Sequence, residues 1–485
     1  MEPVARALEQ LSLWSGCRVI VIGDALLDGW LTGRPRNLCR EAPVPVLSLH
    51  QEDYEAGGAA NTAANLAALG AEVTLVAAVG RDTDADRLRG CLDLAGVQPR
   101  LVEVIGWRTP AKRRLIADEQ IMARIDDTDH QPLPEEAMRH LCLQVADEIG
   151  DVDAVLVGDY GLGVADERMA AWLAQRRNRL PLLAVDSHDV SRWAVTRPDL
   201  MTPSFSEVAP LLEPPETTGR AATIEEQQDS LLQRLQARVL AVTLDAEGAI
   251  VLADGAAPYR TFAQPAPSNR TSGAGDAYTA AFTLALATGA ATPDAADLAQ
   301  MAATAAIGQT GTAVCDAAAL VRLAADQDPV TAGALAAVVQ AHRKRGRRIV
   351  FTNGCFDVLH RGHVGYLAQA KREGDVLIVA VNSDESVRRL KGPDRPVNPL
   401  GDRVAVLAAL ACVDHVVVFS EDSPQLLLEQ VRPDVYVKGG DYPPEMIPEA
   451  PLVRRLGGEV RVLDYVPDQS TTQLLQRIRS RQARV

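Results

Sequence analysis

Short, uninterrupted apolar runs recur along this chain. Arg18-Val-Ile-Val-Ile-Gly-Asp24, Glu72-Val-Thr-Leu-Val-Ala-Ala-Val-Gly-Arg-Asp82, Ala154–Val157 and Leu182–Ala184 lack polar alternation, and the first two stop at Gly and Asp. A run of this kind predicts a strand buried on both faces, as parallel strands are. Alanine-rich helical stretches lie between them, including Leu66-Ala-Ala-Leu-Gly70 and Ala277–Leu286. Glu41-Ala-Pro-Val-Pro-Val46 is extended but broken by proline, which suits an edge or a lid. Repeated strand and helix predicts an α/β fold: a mostly parallel sheet with helices on both faces.

The pattern changes after Ala324. A short Asp-Gln-Asp-Pro turn leads into an Ala/Val helix that ends in His342-Arg-Lys-Arg-Gly346, with basic residues and glycine suited to a helix C-terminus. Strand and helix alternation then resumes in shorter units, with strands expected at 347–353, 375–381, 414–420, 434–438 and 459–466. We therefore expect a larger domain over 1–323, a helical linker over 324–345, and a smaller Rossmann-like domain over 346–485.

Composition narrows the class of partner. The 485 residues carry a net charge of −15, which argues against nucleic acid or an anionic membrane, so the basic residues that matter must be focused locally. The seven cysteines are scattered and never spaced C-x-x-C, as in reduced cytosolic proteins. Met1-Glu-Pro-Val-Ala-Arg lacks the basic and apolar regions of a leader, and no apolar run reaches the ~18–20 residues that span a bilayer. A soluble, cytoplasmic protein is expected.

The densest chemistry lies in Arg348-Ile-Val-Phe-Thr-Asn-Gly-Cys-Phe-Asp-Val-Leu-His-Arg-Gly-His363. A strand, a phosphate-sized loop and a helix N-terminus follow one another, and unpaired N–H groups at such a terminus attract a polyphosphate. His360 and His363 also raise zinc, but no Cys or Glu set completes a tetrahedral site, and no tight protein-only metal site is expected. These residues resemble the H-x-G-H nucleotidyltransferases. With Asn382-Ser-Asp-Glu-Ser-Val-Arg-Arg-Leu-Lys-Gly392, Arg395-Pro-Val-Asn-Pro399, Val437-Lys-Gly-Gly-Asp-Tyr442 and Ser470-Thr-Thr472 in that order, the resemblance is to the adenylyltransferase half of the bifunctional heptose-7-phosphate kinase/heptose-1-phosphate adenylyltransferases.

The first half agrees. Gly57-Gly-Ala-Ala-Asn61, Gly80-Arg-Asp82, Gly158-Asp-Tyr-Gly161, Val185-Asp186, Thr202-Pro203 with Glu207, Val242-Thr-Leu-Asp-Ala-Glu-Gly248 and Gly273-Ala-Gly-Asp276 resemble the ribokinase-like carbohydrate kinases in sequence order. The resemblance implies that Asp276 takes the proton of the attacking sugar hydroxyl, while Gly273, Ala274 and Gly275 offer N–H groups to the transferred phosphoryl. It further implies that Asp28, Gly57, Gly58 and Asn61 hold the sugar phosphate. Ser204, Glu207, Thr243 and Gly248 would lie on the ATP side, with Glu207 orienting Mg2+ through water. For Asp24 and Asp28, the residues themselves leave a solvated loop open as well.

In the second half the resemblance implies attack by heptose 1-phosphate on the α-phosphorus of ATP. His360 and His363 would bond the phosphates, Phe351, Thr352, Asn353, Gly354 and Gly362 would line them, and Ser470 and Thr471 would close on the far end. Lys391 would supply the cation, and Asp357, Asp384 and Asp441 are candidates for Mg2+ or sugar hydroxyls, although an Asp in such a loop is as often a turn-former. Cys355 has no paired base and is assigned to packing. The implied partners are ATP, heptose 7-phosphate and heptose 1-phosphate, with Mg2+ as cofactor and a homodimer as the assembly.

Four positions depart from the kinase pattern: Arg270 stands where an acid is usual, Ser204 where Asn is, and His188 and Leu162 where lysines are. They leave open an adenylyltransferase carrying a non-catalytic kinase-like sensor or dimerisation domain. A different sugar- or polyol-phosphate nucleotidyltransferase is the second alternative.

Overall fold

The computed structural model describes residues 3–118, 120–128, 132–213, 219–263, 272–307, 311–327, 332–439 and 446–463. The chain divides into two compact units, Met1–Ala325 and Asp326–Val485.

The first unit contains strands β1 (Arg18–Gly23), β2 (Ala25–Leu38), β3 (Pro45–Gly58), β4 (Glu72–Val79), β5 (Gln98–Glu103), β6 (Ala111–Ala117), β7 (Gln120–Asp127), β8 (Ala154–Asp159), β9 (Leu182–Ser187), β10 (Leu200–Met201), β11 (Val239–Thr243), β12 (Ala249–Ala253) and β13 (Tyr259–Thr261). Nine of them form one sheet in the order β13-β12-β11-β10-β9-β8-β1-β4-β5. The pairings from β5 across to β11 are parallel, and β12 and β13 add an antiparallel edge. Residues of β1 alternate between two cores: Val19 and Val21 pack on one face, Ile20 and Ile22 on the other. That explains the unbroken β-branched run, since each such side chain removed from water contributes about 1.5–3 kcal/mol. Chain order leaves β1 toward β4 on one side and toward β8 on the other, and an α/β sheet opens its ligand crevice at such a reversal.

A second, four-stranded sheet, ordered β3-β2-β6-β7, was not legible from the sequence pattern. Its strand β7 is exposed along almost its whole length, so no apolar face marks it. The proline-broken stretch expected at an edge forms the turn into β3, which is an edge strand of this sheet.

The second unit contains β14 (Ile349–Gly354), β15 (Val376–Asn382), β16 (His415–Phe419), β17 (Val435–Gly439) and β18 (Glu459–Leu463), all parallel, in the order β16-β15-β14-β17-β18. Its reversal falls between β14 and β17. The expectation of a linker over 324–345 is corrected in one respect: helix Ala332–Lys344 belongs to this unit. Its Leu335 and Val339 are buried in the core with Ile349, Phe351 and Leu428, and Arg343 Nη2 donates to the Val431 carbonyl at 2.9 Å. Among the described residues, no helix is long and apolar enough to cross a membrane.

Candidate active sites

The crevice of the first unit is built from both sides of the strand reversal. Helix Ala274–Ala287 starts there behind Gly273, whose φ of 89° suits glycine and where a Cβ would crowd the Ala313 backbone and Asn61. Asp276, on the first turn, accepts from Asn61 Nδ2 and Tyr160 Oη, each at 2.6 Å, and from Thr62 Oγ1 at 3.2 Å. Burial raises the Asp276 carboxyl above the usual carboxylate range despite those bonds. Asp186, 3.4 Å from the same tyrosine hydroxyl, is pushed up to about 8 by burial and by the charges of Asp276 and Glu207. Tyr160, Thr62 and Asp186 were absent from the expected site, although Tyr160 and Asp186 sit inside the quoted motifs.

The neighbouring acids have distinct surroundings. Asp24 and Asp28 are buried, which corrects the solvated-loop reading for both. Asp24 accepts the backbone N–H groups of Tyr160, Leu162 and Val164 at 2.8–3.0 Å and so fixes the path of that loop. Asp28 lies in β2, ion-paired at 2.6 Å to Arg114, with Thr312 Oγ1 donating at 2.9 Å. Gly57 and Gly58 close β3 against it: a Cβ at Gly57 would meet the Asp28 carboxylate, and Gly58 adopts a φ of 57°.

On the far side, Ser204 and Glu207 form the capping box of helix Phe205–Val208. Glu207 also meets His188 Nδ1 at 2.6 Å. Burial works to raise the Glu207 carboxyl, but the bonds from His188 and Ser204 outweigh it and leave it lowered. Thr243 ends β11 with its N–H on the Pro203 carbonyl, and Gly248 has a φ of 90° at a point where a Cβ would strike the Thr261 carbonyl. Leu162 is buried, and Arg270 lies outside the described residues. Among the described residues no group of three or more His, Cys, Asp or Glu could hold a metal unaided. The cluster of acids at Asp186, Asp276 and Glu207, with Asp186 pushed up to about 8 by burial and then by its two neighbours, does fit a divalent ion carried largely by a nucleotide's phosphates.

In the second unit His360 caps helix Arg361–Lys371, its Nδ1 accepting from the buried Gly362 N–H at 3.2 Å. The His360 and His363 ring centroids are 4.0 Å apart. Burial, then the charges of His360 and Lys391, pushes His363 down to about 4, and burial lowers His360 too. Both imidazoles are therefore neutral at pH 7. Asn353 Oδ1 accepts from Tyr436 Oη at 2.7 Å, which ties β14 to β17 across the crevice. Gly354 packs against the Phe356 ring.

Several expected roles are corrected here. The Phe351 ring is fully buried in the core, so only its backbone faces the loop. The Thr352 hydroxyl is buried and bonded to Tyr366 Oη at 2.6 Å. Asp357 is ion-paired to Arg395 at 2.5 Å and accepts the N–H groups of Val397 and Asn398, which fixes that loop rather than offering a free ligand. Asp384 pairs at 2.6 Å with Arg403, a fully buried arginine that also donates to the Cys355 and Asn398 carbonyls. Lys391 ends helix Asp384–Lys391, exposed but near enough to His363 to lower it. Asp441, Ser470 and Thr471 lie outside the described residues.

Comparison with known proteins places each unit in a family. Residues 18–319 match the pfkB family of carbohydrate kinases, and residues 351–477 match the cytidylyltransferase-like family. The first unit resembles phosphofructokinase-2 from Escherichia coli in complex with fructose-6-phosphate, with a TM-score of 0.54 and 19% identity, covering 64% of this chain and 98% of that one. At that identity the likeness establishes the fold. A Bifunctional protein HldE of Pseudomonas aeruginosa (strain LESB58) is 39% identical over 472 residues, 96% of this chain and 98% of its own. Another, of Hahella chejuensis (strain KCTC 2396), is 36% identical over 481 residues, 98% of this chain and 99% of its own. With a carbohydrate-kinase unit, a cytidylyltransferase-like unit and relatives matched over nearly the whole of both chains, this chain belongs to the bifunctional HldE family.

Proposed function

We infer that this chain is the bifunctional enzyme of ADP-heptose synthesis. Its first unit phosphorylates D-glycero-D-manno-heptose 7-phosphate at the anomeric hydroxyl with ATP, giving the 1,7-bisphosphate. Its second unit transfers the adenylyl group of ATP to heptose 1-phosphate, releasing pyrophosphate. A separate phosphatase must act between the two steps.

The observation that carries the kinase half is Asp276, held by three hydrogen bonds at the first turn of helix Ala274–Ala287. In this reading it takes the sugar hydroxyl's proton as the hydroxyl oxygen attacks the γ-phosphorus. Its raised affinity for a proton suits a base. The N–H groups of Ala274 and Gly275 would face the charge that develops on the phosphoryl oxygens. Asp28, Gly57, Gly58 and Asn61 line the sugar side of the crevice, and Ser204, Glu207, Thr243 and Gly248 the nucleotide side. Mg2+ bound to ATP would neutralise phosphate charge, with Asp186 and Glu207 placed to hold its water shell.

For adenylyl transfer no enzyme nucleophile is needed, since the sugar phosphate is itself nucleophilic. His360 and His363 would donate hydrogen bonds to the phosphates, with the backbone at Asn353, Gly354 and Gly362 beside them. The enzyme would act in the cytoplasm as a homodimer. The test is incubation of the pure protein with ATP, Mg2+ and either heptose 7-phosphate or heptose 1-phosphate. Bisphosphate from the first and ADP-heptose from the second are expected; failure of either removes that half of the assignment.

A further inference from the structure

Lys438 is placed like a binding residue but has no role in the mechanism above. It stands near the C-terminal end of β17, the strand that borders the second crevice opposite β14. Its side chain is half-buried, with Nζ 5.6 Å from the centre of the Tyr436 ring. Tyr436 is the residue that reaches across to Asn353, so the ammonium lies on the flank of the phosphate loop, and Cys355 of that loop is near enough to act on its charge.

Among the described residues no carboxylate lies within ion-pair distance of this ammonium. The acid that acts on it most strongly, Glu449, is buried and accepts from Ser423 Oγ at 3.2 Å. Lys438 and Glu449, with Met446, Ile447 and Pro448, line a cleft. Burial lowers the Lys438 affinity for its proton. An anion placed beside a half-buried ammonium offsets the cost of taking that charge out of water.

We propose that Lys438 holds the acceptor substrate of the second unit by its phosphate, a sugar 1-phosphate monoester, on the β17 flank of the crevice. The inference rests on the adenylyl-transfer reading. The reaction is an in-line displacement: a phosphate oxygen forms a bond to the α-phosphorus while the bond to the β-phosphate oxygen breaks and its electron pair leaves with pyrophosphate. Attacking and leaving groups must enter from opposite sides. Helix Arg361–Lys371, which carries the His360 and His363 turn that suits the leaving pyrophosphate, packs on one face of the sheet, where Tyr366, Leu367 and Ala370 meet Val435 and Val437 and Tyr366 Oη donates to the Val437 carbonyl at 3.0 Å. Lys438 alternates to the other face with Tyr436, so the acceptor approaches from the face of β17 opposite that helix, where Lys438 is the cation. Lys438 keeps its proton throughout and offsets the repulsion between two phosphates brought into contact.

The test is Lys438→Gln in the full-length protein, with Lys438→Met as a second variant of similar length. The KM for heptose 1-phosphate is expected to rise about ten- to a hundredfold, as loss of a charge-assisted bond implies, while the KM for ATP stays within about twofold. Independently of turnover, heptose 1-phosphate should raise the thermal midpoint of the wild type and raise that of the variants much less, whereas α,β-methylene ATP should stabilise all three equally. An unchanged KM for the sugar phosphate with an unchanged thermal shift overturns the proposal. So does a KM change confined to ATP, which makes Lys438 a nucleotide residue, and so does failure of both variants to fold. If the wild type makes no ADP-heptose yet its thermal shift with heptose 1-phosphate is lost in the variants, the reaction is misassigned and the phosphate site stands.

Discussion

The Tyr160 hydroxyl donates to Asp276 Oδ1 across 2.6 Å, joining the loop after β8 to the first turn of a helix more than a hundred residues later. Its hydrogen bond favours the ionised carboxylate, while burial opposes it. With Asp276 as the proposed base, kinase activity requires the ionised form and is lost as pH falls through the Asp276 pKa. Tyr160→Phe removes a stabilising bond, so that pKa rises and the acidic limb of kcat/KM for bisphosphate formation moves to higher pH. A pH profile of wild type and variant checks this; an unmoved limb would show that the bond does not tune the base.

Asp276→Asn keeps the size of the side chain and removes the proton acceptor. Bisphosphate formation should fall by about 10²–10⁴-fold, the usual contribution of a general base. ADP-heptose formation from heptose 1-phosphate, assayed in the same preparation, should be unchanged.

His363→Ala should slow adenylyl transfer by about two orders of magnitude, since one preorganised donor contributes about 3–4 kcal/mol. Burial pushes the His363 imidazole down to about 4, and a bound polyphosphate favours its charged form. ATP binding to this unit should therefore take up a fraction of a proton, growing as pH falls from 8 toward 5. Calorimetry in buffers of different ionisation enthalpy, with Asp276→Asn as background, reads it directly.

A fragment beginning at Asp326 should fold and make ADP-heptose from heptose 1-phosphate. One beginning at Arg347 lacks helix Ala332–Lys344, uncovers the core that Leu335 and Val339 close, and should be insoluble. Equal solubility of the two would remove the helix from the second unit's core.

Arg403→Leu should destabilise the second unit by about 3 kcal/mol or more, because it leaves two loop carbonyls and the Asp384 carboxylate without their shared donor. Its thermal transition should fall while kinase activity persists.

The main strands were legible because burial on both faces leaves an unmistakable mark: Val19 to Ile22 and Val376 to Val381 are apolar at every position. The four-stranded sheet left none, since its strands carry charge on exposed faces. The helix starts that carry Asp276 and the His360–His363 turn were legible because glycines mark each of them in the sequence. The other acids were not. Whether Asp28, Asp357 or Asp384 is free depends on Arg114, Arg395 and Arg403, and only the folded chain brings each pair together. Phe351 and Thr352 sit in the phosphate-loop run, yet both faces of their strand are covered, so one side chain is buried on each face.

Asp24 has a consequence for how this enzyme can change over generations. Because it grips the Tyr160, Leu162 and Val164 segment by main-chain N–H groups, that hold on the segment does not itself call for particular side chains at those three positions. Leucine at 162 therefore leaves the main-chain hold beside Tyr160, and with it the Tyr160 bond to Asp276, in place. The carboxylate that follows β1 thus supplies mutational latitude to the loop that carries Tyr160.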